Sequence, residues 1–115
     1  MTLPERLSYI SLEMKKDHLE RLEVLLDAYQ NRLDIDCPIC EGYACGLNLP
    51  PIPPCSWWVM EEMWCADWSY LHHGVWFPVN PGDEHYEEIR AARIPMIKRW
   101  IKIYKKAIKD EETKT

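Results

Sequence analysis

Residues 37–65 read CPICEGYACGLNLPPIPPCSWWVMEEMWC. They contain all five cysteines of the 115-residue chain and five of its nine prolines. Proline has no backbone N–H to donate, so this concentration excludes a long regular helix or a central strand from the middle of the chain. Such a segment needs another source of order, and the cysteines are the candidates to supply it.

The spacing of the cysteines favours a metal site. Cys37 and Cys40 are separated by two residues, which allows both sulfurs to bind one ion while the backbone turns between them. A structural zinc ion takes four ligands of this type in a tetrahedron. The candidates for the remaining positions are Cys45, Cys55 and Cys65, with His72, His73 and His85 in reserve.

Cys45 is the least suitable candidate, because only four residues separate it from Cys40, whereas a proline-rich loop and a helix bring Cys55 and Cys65 back. The predicted ligands are therefore Cys37, Cys40, Cys55 and Cys65, and Cys45 is a small buried hydrophobic residue or a spare thiol. Zinc is the predicted cofactor. An iron–sulfur cluster on the same thiolates is the alternative, although such clusters usually use tighter spacing than the gaps of 14 and 9 residues found here.

Helical periodicity flanks the cysteines on both sides. Residues 3–33 carry apolar side chains every three or four positions, and Thr2 with Glu5 predicts a capping box at their start. This stripe contains Leu7, Ile10, Met14, His18, Leu22, Leu25, Tyr29 and Leu33, with His18 expected at the edge of the core. Residues 56–72 return to helical spacing, with one face formed by Trp57, Met60, Trp64, Trp68 and Leu71. Asp83 is the predicted cap of a final helix, which Pro95 should kink or split near Arg93.

These elements predict a mainly α fold in a single small domain, residues 1–115. Helix 3–33 and helix 83–110 are expected to pack together by their apolar stripes, and residues 111–115 form a tail. Residues 34–82 form an irregular, cysteine-rich insert that contains a short third helix and is stabilised by the metal. The binding energy of the ion then contributes to the folding energy of the insert.

Charge is strongly segregated along the chain. The net charge of −5 combines −11 over residues 1–89, +8 over residues 90–109, where there is no acidic residue, and −2 over residues 110–115. Such a basic segment is typical of a solvated helix face or of an anion-binding surface. The acidic remainder of the chain opposes duplex DNA. The candidate contacts for nucleic acid or another anion are Lys98, Arg99, Lys102, Lys105, Lys106 and Lys109.

Two tryptophans, Trp58 and Trp76, fall off the helical stripe. If both are exposed, they form a patch that would bind a protein partner.

Several function classes receive no support from the sequence. No stretch has the roughly 18 apolar residues of a membrane span, and the N-terminus lacks the pattern of a secretory signal. With an odd number of cysteines, a reducing cytoplasm is the expected location, or the host cytoplasm if the protein is viral. The four glycines form no phosphate-binding loop, and no thiol has a neighbouring base with an orienting carboxylate, so an enzyme is not predicted.

Residues 37–40, CPIC, and residues 55–65, CSWWVMEEMWC, resemble a loose group of small proteins found in phages and other microbial genomes. That group runs from an amphipathic helix through a Cys-Pro-x-Cys motif and a Cys-x-x-Cys-Pro-Trp stretch to a closing cysteine and a basic helix. Here Ile52 stands where the group has the earlier cysteine of its second pair, and Ser56 replaces its proline. The resemblance implies a metal site on Cys37, Cys40, Cys55 and Cys65 and a viral or microbial origin.

The predicted function is that of a non-enzymatic, zinc-stabilised accessory protein, plausibly phage-encoded, that binds a host or viral protein. The alternative is a nucleic-acid-binding accessory protein that uses the basic C-terminal helix. An iron–sulfur or redox protein is a weaker alternative.

Overall fold

The computed structural model describes residues 1–35, 37–39, 41–43, 53–63, 65–74 and 81–114. Within these ranges the chain forms helices and no strand, which confirms the mainly α prediction. The helices are α1 (Leu3–Leu7), α2 (Leu12–Gln30), α3 (Ser56–Glu61), α4 (Cys65–His73) and α5 (Tyr86–Thr113). In this part of the chain, no helix combines the length and the apolarity that crossing a bilayer requires.

The two long helices, α2 and α5, pack against each other, as the apolar stripes predict. They run antiparallel, because Lys15 near the start of α2 pairs with Glu111 near the end of α5, while Tyr29 near the end of α2 contacts Arg93 near the start of α5. The core between and around them is formed by buried side chains that include Leu22, Leu25, Ile89, Ile97, Trp100 and Tyr104.

The first predicted helix, 3–33, is in fact two helices. The Thr2–Glu5 capping box is present at the start of α1, but α1 ends at Leu7. Ser11 then caps α2, since its hydroxyl oxygen accepts a hydrogen bond from the backbone N–H of Met14. Serine competes with the helix backbone for hydrogen bonds, and this favours a new N-terminus over a continuous helix. At the other end α2 stops at Gln30, which leaves Leu33 46% exposed.

The final helix also differs from its predicted bounds. It starts at Tyr86 with His85 as its N-cap rather than at Asp83, and it continues to Thr113 through most of the predicted tail. Pro95 lies inside α5 without splitting it. The proline removes one backbone donor from an exposed position, while the buried residues on both sides of it keep the helix packed on the core.

The insert contains two short helices rather than one. Glu62 adopts a left-handed conformation (φ 55°) and ends α3, so the predicted helix 56–72 breaks before Cys65. Trp57 on α3 packs edge-on against Trp100 of α5, with ring centroids 4.9 Å apart, and joins the insert to the core. Leu71, which the sequence places on the apolar face, is 66% exposed on α4.

Candidate metal centre

Three of the four predicted ligands lie in the described ranges, and each belongs to a different segment. Cys37 lies in the loop after α2, Cys55 is the N-cap residue of α3, and Cys65 is the first residue of α4. Cys40 and the spare Cys45 lie outside the described residues. Among the three described cysteines, none is joined to another by a disulfide.

The loop that carries Cys37 is held against α2 by side chains of that helix. Arg21 Nη1 donates hydrogen bonds to the backbone carbonyls of Pro38, at 3.0 Å, and of Glu41. The Tyr43 hydroxyl donates to Asp17 Oδ2 over 2.5 Å. Ile39 is fully buried beneath the loop. The chain that directly follows Cys37 is therefore held against α2.

The three thiols share one electrostatic environment. Burial raises the pKa of the Cys37 thiol, and the negative charges that Cys65 and Cys55 would carry raise it further. A hydrogen bond from the backbone N–H of Ile39 and the charge of Arg93 act in the opposite direction. By accessible surface, Cys37 is an exposed residue.

Arg93 of α5 is a buried cation, and its side chain is fully enclosed. Its Nη1 donates to the Tyr29 hydroxyl over 2.6 Å, and its Nη2 donates to Ser69 Oγ over 2.5 Å. Three aromatic rings surround the guanidinium carbon, which lies 4.9 Å from the centroid of Trp57, 5.5 Å from Trp68 and 6.0 Å from Tyr29. Such contacts stabilise a cation by interaction with the ring electrons.

The charge of Arg93 has no carboxylate partner within the described residues. Its Nε also has no hydrogen-bond partner there. A buried guanidinium without an anion is destabilising by several kcal/mol, about the cost of moving a charge out of water after the protein relaxes.

Arg93 was not among the sequence-predicted site residues. One signal for it exists in the sequence, because Arg93 interrupts the apolar stripe of α5 between Ile89 and Ile97, each one helical turn away. A charged residue at such a position needs a partner inside the protein. The partner is not identifiable from the sequence, because Tyr29, Ser69 and the cysteines lie far from Arg93 along the chain.

The chemical type of these residues fits a soft metal ion, since cysteine thiolates are the ligands that bind zinc and iron–sulfur clusters. Within the described residues, however, no group of three or more His, Cys, Asp or Glu side chains is gathered closely enough to hold an ion. The predicted ligand Cys40 is outside that set.

The reserve histidines are involved in other contacts. His73 Nδ1 lies 3.0 Å from Glu88 Oε1, and His85 Nδ1 lies 3.4 Å from Glu88 Oε2. His72 stacks on Trp68 with ring centroids 4.5 Å apart. These contacts link α4 to the start of α5.

The six basic residues predicted to contact an anion lie on the surface of α5. All six predicted contacts are exposed, namely Lys98, Arg99, Lys102, Lys105, Lys106 and Lys109. Lys106 Nζ pairs with Asp110 Oδ2 at 3.0 Å, whereas the other five form no ion pair with any described acidic residue. Lys98, Lys102, Lys105 and Lys109 recur at spacings of three and four, so they form one stripe along the helix.

The predicted partner patch requires Trp58 and Trp76 to be exposed, and Trp58 is not. It is 8% exposed and packs edge-on against Tyr9 with ring centroids 6.1 Å apart. The short helix α3 is buried on every side, which helical periodicity alone does not predict. Trp76 lies outside the described residues. The exposed apolar side chains near the insert are instead Tyr70 and Leu71 on α4, at 48% and 66%.

Comparison of the chain with protein-family models, curated proteins and solved structures gives no match.

Proposed function

We propose that this chain is a small zinc-binding protein in which Cys37, Cys40, Cys55 and Cys65 hold a structural ion, and that it acts by binding a partner rather than by catalysis. The observation that supports this most is that the described cysteines stand at three structural junctions, with Cys37 in the loop after α2 and Cys55 and Cys65 at the starts of α3 and α4. The resemblance to small phage and microbial proteins agrees with a role as an accessory protein in a host cytoplasm.

The physical role of the ion follows from what the insert lacks. The helices α3 and α4 have 6 and 9 residues, which is too short for either to be stable alone in water. Zinc bound by thiolates has no redox chemistry of its own and fixes the chain segments that supply its ligands. Four thiolates of this chain would fasten the loop after α2 to the starts of both short helices.

Metal analysis of protein purified without added metal tests this proposal. We expect about one zinc per chain, and we expect Cys37→Ser, Cys40→Ser, Cys55→Ser and Cys65→Ser each to lose it. Cys45→Ser is the matched control and should retain the ion. Loss of metal in Cys45→Ser as well would mean that the ligand set is wrong. Visible absorbance with bound iron would identify an iron–sulfur cluster, and wild-type protein free of metal would overturn the proposal.

A protein partner is the first candidate for what the molecule binds, and the exposed side chains of Tyr70 and Leu71 support it. Adjacent apolar residues on a helix surface are typical of a small interaction site. The double variant Tyr70→Ser, Leu71→Ser should lose binding to a purified partner and keep its zinc. Val24→Ser is the matched control, because Val24 is similarly exposed (47%) on α2.

Nucleic acid is the second candidate, and the exposed basic stripe of α5 supports it. Binding of a labelled oligonucleotide should weaken steeply with added salt, because cationic side chains release counterions from the phosphates. The double variant Lys98→Glu, Lys102→Glu should abolish the binding. A charge-matched control is Lys16→Glu, Lys114→Glu, which changes two exposed lysines outside the stripe. Equal effects in both variants, or no salt dependence, would contradict a nucleic-acid role.

A further inference from the structure

We infer that the exposed face of the α2–α5 helix pair binds a second copy of this chain, so that two chains form an antiparallel four-helix bundle. This face carries an acidic stripe on α2 beside the basic stripe on α5, and each stripe meets its complement on the second copy. The inference goes beyond the proposed zinc site and does not depend on it.

One face of the helix pair is covered by the insert. On α5, Arg93 bonds to α4, and Trp100 packs edge-on against α3. On α2, Arg21 donates a hydrogen bond to the carbonyl of Pro38 in the loop that follows the helix. Arg93, Trp100 and Arg21 therefore mark the side of each helix that faces the insert.

The far side of α5 follows from helical geometry. Each residue is rotated by about 100° from the one before it, so Ile94 and Ile101, which directly follow Arg93 and Trp100, lie across the buried stripe from the insert. Ile94 is partly buried and Ile101 is 8% exposed. Farther round the helix, this side is fully exposed and basic, and it carries Lys98, Lys102, Lys105 and Lys109.

The far side of α2 has the same organisation with the opposite charge. Leu19 and Leu26 are seven residues apart, are partly buried, and lie across the buried stripe from Arg21. The exposed residues beside them form the acidic stripe, namely Glu20, Glu23 and Asp27. Because the insert contacts both helices from one face, the far sides of α2 and α5 point together to the opposite face.

The two stripes occupy the same stretch of the helix pair. Both lie between the ion pair of Lys15 with Glu111 at one end and the hydrogen bond of Tyr29 with Arg93 at the other. Their charges are nevertheless not used inside the chain. Among the described residues, no ion pair is formed by Glu20, Glu23, Asp27, Lys98, Lys102 or Lys105.

A two-fold axis parallel to the helices satisfies both stripes at once. Rotation about this axis moves no residue along the helices, so it lays α2 of one copy antiparallel on α5 of the other at the level that the helices share within a chain. Counted backwards along α2, the acidic stripe is spaced by four and then three residues, as Asp27, Glu23 and Glu20. Counted forwards along α5, the same spacing holds for Lys98, Lys102 and Lys105.

The face is therefore self-complementary, which is why a second copy is the partner that fits it. Each lysine lies level with a carboxylate of the other copy, and the partly buried leucines and isoleucines between the stripes meet in the centre. An apolar seam flanked by opposite charges is the arrangement that sets partner and orientation in packed helices. With 19 residues in α2 and helices about 10 Å wide, the face covers about 500 Å² per copy, the size of a weak interface.

Sedimentation velocity of the full-length chain tests the inference, with a reducing agent present to prevent disulfide-linked dimers. We expect a monomer–dimer equilibrium at protein concentrations of about 5 to about 500 µM, the range suited to a small interface. Raising the salt from about 0.05 M to about 0.5 M should weaken the dimer about 10-fold or more, because salt screens exposed charges.

Two charge-reversal variants locate the interface. Lys102→Glu, Lys105→Glu makes the face acidic and shifts the net charge from −5 to −9, whereas Glu20→Lys, Glu23→Lys makes the face basic and shifts it to −1. We expect each variant to be monomeric and an equimolar mixture of the two to form a heterodimer. Net charge alone predicts opposite effects on self-association in the two variants, so their common loss identifies the stripes.

Asp34→Lys, Glu84→Lys is the charge-matched control, because it changes two exposed acidic residues outside α2 and α5. This control should dimerise as the wild type does. Circular dichroism establishes that each variant is folded. If a double variant is not folded, the single variants Glu23→Lys and Lys102→Glu replace the pair in the same mixing experiment.

Several results would overturn the inference. These are a wild-type protein that stays monomeric over the whole concentration range, a dimer that neither salt nor the reversals weaken, a mixture that forms no heterodimer, and an equal loss in the control. A monomeric wild type that binds an oligonucleotide through Lys102 and Lys105 would assign the basic stripe to nucleic acid instead. The zinc proposal fails separately, because metal analysis tests that site and sedimentation tests this face.

Discussion

His18 Nδ1 lies 2.8 Å from the hydroxyl oxygen of Tyr104, and both side chains are fully buried between α2 and α5. The ring of Tyr43 packs edge-on against the other side of the imidazole, with centroids 4.5 Å apart. Burial lowers the pKa of His18 from 6.5 to about 4, with a smaller upward effect of Asp17 and a downward effect of Arg21. The imidazole is therefore neutral in the folded protein at neutral pH.

This relationship predicts a loss of stability in weak acid. Between pH 6.5 and 4 the unfolded chain protonates His18 and the folded chain does not, so the free energy of unfolding falls as the pH falls. The loss due to His18 should reach about 3 kcal/mol near pH 4 and be absent above pH 7. Urea denaturation of wild type and His18→Gln across this pH range measures the loss due to His18. The comparison cancels the effect of any metal released at low pH, because that release affects both proteins.

The difference in unfolding free energy between these two proteins should be constant above pH 7 and shrink below it. Val24→Ser is the control, since it changes an exposed residue and removes no titratable group, so its difference from wild type should not change with pH. A constant difference between wild type and His18→Gln down to pH 4 would contradict the assignment of a neutral, buried imidazole.

Arg6 connects α1 to the end of α3, and we expect these contacts to stabilise the fold. Its Nε donates to the carbonyl of Val59 over 2.7 Å, its Nη2 to the carbonyl of Met60 over 3.3 Å, and its Nη1 pairs with Glu62 at 3.2 Å. These carbonyls belong to the last turn of a helix, where backbone acceptors lack partners within the helix. Arg6→Gln should lower the unfolding free energy by about 1–3 kcal/mol, the usual range for hydrogen bonds to charged groups.

Arg32→Gln is the matched control for Arg6→Gln. Arg32 also bonds through Nε and Nη2, here to both carboxylate oxygens of Glu87, but both side chains are more than half exposed. Exposed pairs contribute about 0–1 kcal/mol, so the control should be nearly neutral in urea denaturation. Similar losses of unfolding free energy in the two variants would mean that the contacts of Arg6 with α3 stabilise the protein no more than an exposed ion pair does.

Much of the scaffold is predictable from the sequence. The stripe that contains His18, Leu22 and Tyr29 repeats with helical period, and period alone determines which face of a helix is buried. Helix ends are less predictable, because the break at Glu62 depends on a left-handed conformation that no glycine or asparagine marks. The local sequence pattern also fails to predict the burial of Trp58, which packs against the distant residue Tyr9.

The residues of the candidate site are likewise only partly predictable from the sequence. The cysteines are visible in the sequence because their residue type and spacing carry the chemistry. Arg93 is not, because its role depends on contacts with Tyr29 and Ser69, which are 64 and 24 residues away along the chain. A residue whose function consists of long-range contacts has no local pattern that reveals it.

Lys15 and Glu111 form an ion pair, and we expect mutation of the two partners to lower the unfolding free energy by different amounts. Lys15 Nζ donates to Glu111 Oε2 over 2.7 Å and to the carbonyl of Ile10 over 3.0 Å, and its side chain is 8% exposed against 41% for Glu111. Glu111→Gln leaves a buried ammonium without its anion and should cost about 1–3 kcal/mol of unfolding free energy. Lys15→Met replaces the buried charge with an apolar chain of similar length and should cost less.

Urea denaturation of both variants checks this order. The neighbouring pair of Lys16 and Glu112 joins the same two helices with both side chains at least 43% exposed, so Glu112→Gln should change stability by no more than about 1 kcal/mol. A larger loss in Lys15→Met than in Glu111→Gln would show that the aliphatic part of Lys15, and not its charge, determines the effect.

Metal removal should act unevenly across the molecule if zinc stabilises the insert. The helices α3 and α4 are short, and each begins at a cysteine. The helices α2 and α5, by contrast, have 19 and 28 residues and share a continuous buried stripe. After treatment with a chelator, amide hydrogen exchange should therefore accelerate first in residues 56–73 and later in the centres of α2 and α5. Cys45→Ser should respond as the wild type does. Equal acceleration in all helices would mean that the ion stabilises one cooperative unit, and no acceleration in residues 56–73 would contradict a structural role of the metal in the insert.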